Sequence, residues 1–239
     1  MNTFKVYIDN IEKLGLHTFK FAGLSIYDLL SQCPRSKIIS YPVGYKILSQ
    51  RQPCENVYLI LEGQVKLTRL NSQGKELITD VRYKSDFFGR TLTDQNKYFT
   101  DENAISITTT YLWKSYVNDF NDLIFHHPAL SIEMIRMLSA REASLKMKFQ
   151  YASQESVEIR LAHTLRELSG RFEEKCEHGY GKHIRISQQE LADMVGSSRP
   201  TVSTLLNQLR SKGVLNYNRD YLCVQSIKSV LEMLDSIIN

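Results

Sequence analysis

No stretch of the chain approaches the roughly 20 consecutive apolar residues that a membrane-spanning helix needs. The amino end, Met1-Asn2-Thr3-Phe4-Lys5, also lacks the basic-then-apolar layout of a secretory signal. A cytoplasmic location with no membrane partner is therefore expected. Cysteine is scarce: Cys33, Cys54, Cys176 and Cys223 stand far apart and form no C-x-x-C pair. That spacing indicates neither a zinc finger nor a disulfide framework, so reduced thiols are expected. Cys176, His178 and His183 are three loosely spaced donors on a polar loop, too weak a set to assign a metal. The signatures of enzymes are missing as well. There is no Ser-His-Asp order, phosphate-binding glycine loop, pair of catalytic carboxylates or H-E-x-x-H, so no enzymatic activity is expected. Nor is there a large excess of charge of one sign, the net charge being +4 over 239 residues.

What the chain does hold is an ordinary globular composition, 42% hydrophobic and 10% aromatic, at a length that suits two modest domains. Residues 37 to about 115 read as short β segments punctuated by turn glycines. The first is Tyr41 to Leu48, the next Val57 to Gly63, then Val65 to Leu70, the turn Asn71-Ser72-Gln73-Gly74, and Glu76 to Val81. Strands this closely spaced favour an antiparallel roll. From about Val117 the period becomes helical, and no glycine or proline interrupts residues 130 to 152. Ile135, Leu138, Leu145, Phe149 and Ala152 fall on a 3-4 spacing with Glu142 as the single polar break, the seam expected of a dimerisation helix. Packing of that helix on its own domain is the alternative.

A second amphipathic helix spans Glu155 to Leu168, followed by a polar loop to about Lys182. Ser187-Gln188-Gln189-Glu190 then forms a capping box, with the serine positioned to accept from the third amide and the glutamate to return a bond. Leu191, Ala192, Met194 and Val195 make an apolar face, Gly196 stops the helix, and Ser197-Ser198 opens the next, Arg199 to Leu209, with Pro200 in its first turn. Two short helices joined by a tight glycine turn are a helix-turn-helix. In the second, Val202, Leu205, Leu206 and Leu209 point inward, and Arg199, Thr201, Ser203 and Thr204 face outward near the amino end. Lys212 to Leu215 and Tyr221 to Val224 supply the turn and short strands of a wing. Charge supports the reading: between residues 182 and 219, Lys182, Arg185, Arg199, Arg210, Lys212 and Arg219 face only Glu190 and Asp193.

The glycine-punctuated roll, the long helix and residues 187 to 215 together resemble the CRP/FNR family of bacterial regulators over nearly the whole chain. The resemblance implies an α+β protein. Residues 1–116 would be a cyclic-nucleotide-binding-like β-roll with structural glycines at Gly44, Gly63, Gly74 and Gly89. Residues 117–153 would be the dimerisation helix and linker, and 154–239 the winged helix-turn-helix. It also implies a homodimer on double-stranded DNA with a two-fold symmetric operator, and RNA polymerase as a further partner. Arg199 takes the place of the family's guanine-reading arginine, whose fork meets O6 and N7 together. Gln188, Ser198, Thr201 and Ser203 fall to phosphates or neighbouring bases. Pro200 stands where an acidic residue is common and Thr204 where some relatives carry a second basic reader, so the operator is expected to share only part of the family's half-site.

The sensor departs further. Family members that bind cyclic nucleotides carry Gly-Glu at a turn and Arg-Ser about ten residues later. Here the turn is Phe88-Gly89-Arg90-Thr91-Leu92, and Glu102-Asn103 stands at the later place. A phosphate would be repelled by Glu102 unless Arg90 met it. The four clustered thiolates of the family's iron-sulfur sensors are absent, and His126, His127 and His163 do not stand out as haem ligands, so no cofactor is expected. The turn is similar to that of the branch controlling reductive dehalogenation, in which a basic residue meets a phenolate. A small organic effector, an aromatic anion held by Arg90, follows. A cyclic nucleotide, thiol redox control through Cys33 or Cys54, and constitutive DNA binding with Arg90 paired to Glu102 remain open.

Overall fold

Turn residues decide where the amino-terminal strands stop. In the computed structural model, which describes residues 11–72, 74, 76–90, 99–171, 182–218, 221–225 and 232, the segment expected as one strand from Tyr41 to Leu48 is two. β3 (Lys37–Tyr41) ends at Pro42, which has no amide hydrogen to donate, and Gly44 turns the chain at a φ of 76° before β4 (Lys46–Leu48). The two strands enter different sheets.

Upstream lie β1 (Lys20–Phe21), β2 (Leu24–Ser25) and α1 (Ile26–Gln32). The helix starts at a capping box in which the Ser25 amide and hydroxyl donate to Asp28 Oδ2 and the Asp28 amide donates to Ser25 Oγ. Downstream of β4 come β5 (Asn56–Glu62), β6 (Val65–Leu70), β7 (Glu76–Arg82), β8 (Phe87–Gly89), β9 (Asn103–Ser106) and β10 (Thr110–Tyr116). They form two antiparallel four-stranded sheets, ordered β3-β10-β5-β8 and β4-β9-β6-β7.

Strand alternation gives the first sheet two apolar faces. Tyr58, Ile60, Phe88 and Leu112 meet Val65, Leu67 and Ala104 of the second sheet inside the roll. Val57, Leu59, Phe87 and Trp113 instead pack on α1, on α2 (Val117–His126) and on the first turns of α3 (Pro128–Gln154). Close approach makes Gly63 obligatory: at its φ of 93°, an added Cβ would lie 2.6 Å from the Thr109 carbonyl oxygen.

The chain divides into two compact units, Met1–Ala140 and Arg141–Asn239, and α3 contributes to both. The second unit holds α4 (Val157–Arg171), β11 (Lys182–Ile184), α5 (Gln188–Val195), α6 (Arg199–Ser211), β12 (Leu215–Tyr217) and β13 (Leu222–Val224). β13 is the middle strand of the sheet β11-β13-β12. β11 was not anticipated from sequence. It is only three residues long and becomes a strand through its cross-strand partners Val224, Cys223 and Leu222. Cys223 on β13 is disulfide-bonded, which corrects the expectation of reduced thiols, whereas Cys33 and Cys54 are free and buried. Wide spacing in sequence does not measure distance in a sheet.

Candidate nucleic-acid interface and effector region

α5 begins as its sequence requires. The Ser187 amide donates to Glu190 Oε2 at 2.9 Å, and the Glu190 amide donates to Ser187 Oγ at 3.2 Å. Gly196 ends the helix in the left-handed region at φ 67°, with its amide returning to Ala192 and Asp193. Ser198 then caps α6, accepting from the Thr201 amide at 3.3 Å, and Pro200 occupies the first turn. Val202, Leu205, Leu206 and Leu209 are buried, in the same unit as the buried Leu191, Ala192 and Val195 of α5.

This burial leaves the amino-terminal face of α6 open. Arg199, Pro200, Thr201 and Thr204 are exposed, Ser198 beside them is exposed, and Ser203 and Gln188 are half-buried. Arg199 makes no ion pair among the described residues, so its guanidinium is available to an outside acceptor. The hydroxyls are partly engaged within the helix. Ser198 Oγ and Thr201 Oγ1 lie 2.8 Å apart, and Thr204 Oγ1 donates to the Pro200 carbonyl at 3.0 Å. The wing is held to α6 by the Tyr217 hydroxyl, which donates to Asn207 Oδ1 at 2.6 Å, and by the Arg210 guanidinium 5.5 Å from the Tyr217 ring centre.

Sequence reading missed the residue that fixes the turn. Arg160 of α4 donates from Nε to the Val195 carbonyl at 2.9 Å, from Nη2 to the Gly196 carbonyl at 3.2 Å and from Nη1 to the Glu155 carbonyl at 3.1 Å. Its guanidinium thus satisfies acceptors that the end of α5 leaves without helical donors. Only the position of Arg160, an arginine within an amphipathic helix, was visible beforehand.

Along α3 the residues of the expected seam, Ile135, Leu138, Glu142, Leu145, Phe149 and Ala152, are all exposed. Leu130 and Met134, on another face, are buried in the first unit's core. Phe149 and Ile135 are 77% and 62% exposed, an uncovered apolar stripe in the single chain.

In the roll, Phe88 stacks on Tyr58 with ring centres 5.0 Å apart. Gly89 has a φ of 88°, and a Cβ there would sit 2.6 Å from the Asn56 carbonyl oxygen, which explains why the strand narrows to glycine before Arg90. Arg90 is buried, and its amide donates to the same Asn56 oxygen at 2.9 Å. Thr91 and Leu92 lie outside the described residues, as do Cys176, His178 and Arg219. The Glu102 carboxylate accepts from Thr79 Oγ1 at 2.6 Å. Asn103 is buried, with Oδ1 accepting from the Gln50 amide at 3.0 Å and Nδ2 donating to Thr68 Oγ1 at 3.2 Å. Both groups therefore have partners in the protein, and Asn103 links β9 to the neighbouring β6.

Burial pushes the Cys33 thiol up to about 11, against the opposing hydrogen bond from Ser115, which disfavours the nucleophilic thiolate. Burial likewise raises the Tyr58 hydroxyl well above its usual range and lowers the Lys114 ammonium.

Residues 159–230 match the Crp-like helix-turn-helix domain and residues 38–127 the cyclic nucleotide-binding domain. The chain belongs to the CRP/FNR family of transcription regulators. Members of this family bind DNA and act as dimers. A CRP/FNR chain of this kind is 28% identical to the global nitrogen regulator of Nostoc sp. (strain PCC 7120), over 80% of this chain and 82% of the relative. It is 27% identical to the cyclic AMP receptor protein of Thermus thermophilus, over 73% and 77% of the two chains. A CooA mutant from Carboxydothermus hydrogenoformans shares the fold with a TM-score of 0.66 at 19% identity, covering 94% of each chain. CprK complexed with OCPA shares it with a TM-score of 0.60 at 16% identity, covering 85% of this chain and 94% of that one. At such identities the likeness is one of fold alone and assigns the chain to no branch of the family. Among the described residues, no helix is long and apolar enough to cross a membrane.

Proposed function

We propose that this CRP/FNR regulator acts in the cytoplasm as a homodimer controlled by a small organic anion. Residues 1–116 sense the effector, 117–153 pair the two copies, and 154–239 bind an operator of two-fold symmetry. Arg199 meets guanine O6 and N7 in the major groove. Gln188, Ser198, Thr201 and Ser203 contact phosphates or adjacent bases, and Pro200 and Thr204 shape the fit. The observation that carries the DNA role is the exposed arginine at the amino end of a helix whose other face is buried. The uncovered stripe from Ile135 to Ala152 supports pairing through α3, with recognition helices about 34 Å apart to reach successive grooves. RNA polymerase is the further partner at the promoter.

For the effector, the support is buried positive charge at Arg90 beside the aromatic pair Phe88 and Tyr58, with an aromatic anion as the simplest complement. Such a ligand changes DNA affinity only as far as it prefers one arrangement of the dimer over another. Cyclic AMP is the second reading, favoured by the match of residues 38–127 to cyclic nucleotide-binding domains. Basic Arg90 and the engagement of Glu102 and Asn103 argue against it. Fluorescence anisotropy with operators selected from random DNA tests the reading. Arg199→Ala should remove most of the preference at one base pair of each half-site and keep salt-sensitive binding; unchanged preference there would refute the assignment. Charge reversal at Arg90 should remove the effector response and leave basal DNA affinity.

A further inference from the structure

We infer that Arg82 on β7 anchors the charged group of the effector, and that the ligand is an organic monocarboxylate with an apolar body. The inference rests on the reading of the roll as an organic-anion sensor and adds a residue and a ligand class to it. In the register of β6 and β7, Arg82 lies opposite Val65 and Asp80 opposite Leu67. Val65 and Leu67 belong to the buried cluster that also holds Tyr58, Ile60 and Phe88, so both charged side chains share the interior face of the roll. β7 and β8 are the outermost strands of their sheets and are joined by a short turn in which the Asp86 amide donates to the Tyr83 carbonyl. Arg82 and the Phe88–Tyr58 stack therefore stand at one margin of the interior.

The Arg82 side chain is only 12% exposed. Nη2 reaches Asp80 Oδ2 at 3.4 Å, a long contact, while Nε and Nη1 are buried with no hydrogen-bond partner among the described residues. Buried guanidinium donors without acceptors are costly, and here the Nε–H and both hydrogens of Nη1 are unused. A carboxylate oxygen is the natural complement. Asp80 limits the charge that can enter: beside one arginine already facing one aspartate, a monoanion is accommodated and a doubly charged phosphate is repelled. Val65, Leu67 and Phe88 offer nothing to a hydroxyl, so the rest of the ligand should be apolar.

The test is isothermal titration of the full-length protein with benzoate and phenylacetate, and separately with cyclic AMP and inorganic phosphate, alongside melting curves without ligand. Wild type should bind the aromatic acids and not phosphate. Arg82→Met should weaken them about tenfold or more while leaving the ligand-free melting temperature unchanged or higher, since an unsatisfied charge is gone. Arg82→Lys should recover part of the affinity. Asp80→Asn, which removes the negative charge competing for the guanidinium, should tighten benzoate, and it decides the matter if Arg82→Met does not fold; unchanged or weaker binding there overturns the inference. Full benzoate affinity in Arg82→Met, with a lowered melting temperature, would make Arg82 a structural partner of Asp80. If Arg90→Met then abolished binding, the organic-anion reading would stand without Arg82. Failure of both acids to bind wild type overturns the ligand class, and binding of cyclic AMP in their place overturns the organic-anion reading with it.

Discussion

The two regions that carry function handle positive charge in opposite ways. On α6, Arg199 is exposed and makes no ion pair among the described residues, and the hydroxyls of Ser198, Thr201 and Thr204 are engaged within the same segment. In the roll, Arg90 is buried, and Arg82, whose side chain is 12% exposed, lies beside Asp80 on the strand face opposite Val65 and Leu67. An exposed cation suits a polyanion that releases its counterions on contact. A buried cation suits a small ligand that can be stripped of water and enclosed. The difference also decides robustness. The helix-turn-helix takes its caps and its stop from residues three or four apart, with Arg160 tying the turn from α4, whereas the roll's margin exists only if separate strands keep register.

That contrast is broken most severely at Gly89. Gly89→Ala places a Cβ 2.6 Å from the Asn56 oxygen at a φ of 88°. It should destabilise the protein by about 2–4 kcal/mol, read by chemical denaturation. Next is Arg160→Met, which strips three backbone carbonyls of their donor. A loss of about 2 kcal/mol and weaker DNA binding are expected, with hydrogen exchange raised first in residues 193–199. If exchange there does not rise, the turn is held by α5 and α6 alone. Arg199→Ala should cost about tenfold or more in discrimination at one base pair with little change in melting temperature, measured by competition binding. Ser198→Ala removes a cap and should cost about 1 kcal/mol. The smallest effect concerns Cys33, whose thiol is held near 11 by burial. Below that pH the neutral form persists, so iodoacetamide should label it at pH 8 only as fast as the protein unfolds. Rapid labelling would return redox control to consideration.

Legibility followed the same division. The capping box at Ser187 and Glu190, the Gly196 stop and the Ser198 cap could be read because each is a bond between residues three or four apart. The stripe from Ile135 to Ala152 was legible from period alone, and all its members are exposed in the single chain. In the roll the same approach failed at specific places. The segment from Tyr41 to Leu48 read as one strand because the apolar residues on both sides of Pro42 and Gly44 look alike, yet they serve different sheets. The protein partners of Glu102 and Asn103, namely Thr79, Gln50 and Thr68, could not be read because they lie more than twenty residues away. Arg82 went unnoticed because one arginine at the end of a strand looks like a solvated side chain until the pairing with Val65 turns it inward.

By itself, then, the sequence determined the helix-turn-helix, the long helix with its apolar stripe and the antiparallel character of the sensor, since all three follow from hydrogen bonds and periodicities short in chain distance. Tertiary structure alone decided which carbonyls Arg160 would tie together, that Cys223 would be bonded, and that Nε and Nη1 of Arg82 would be buried without a hydrogen-bond partner among the described residues. Those outcomes depend on strand register and on contacts between residues far apart in the chain, where a shift of one residue sends a side chain to the opposite face.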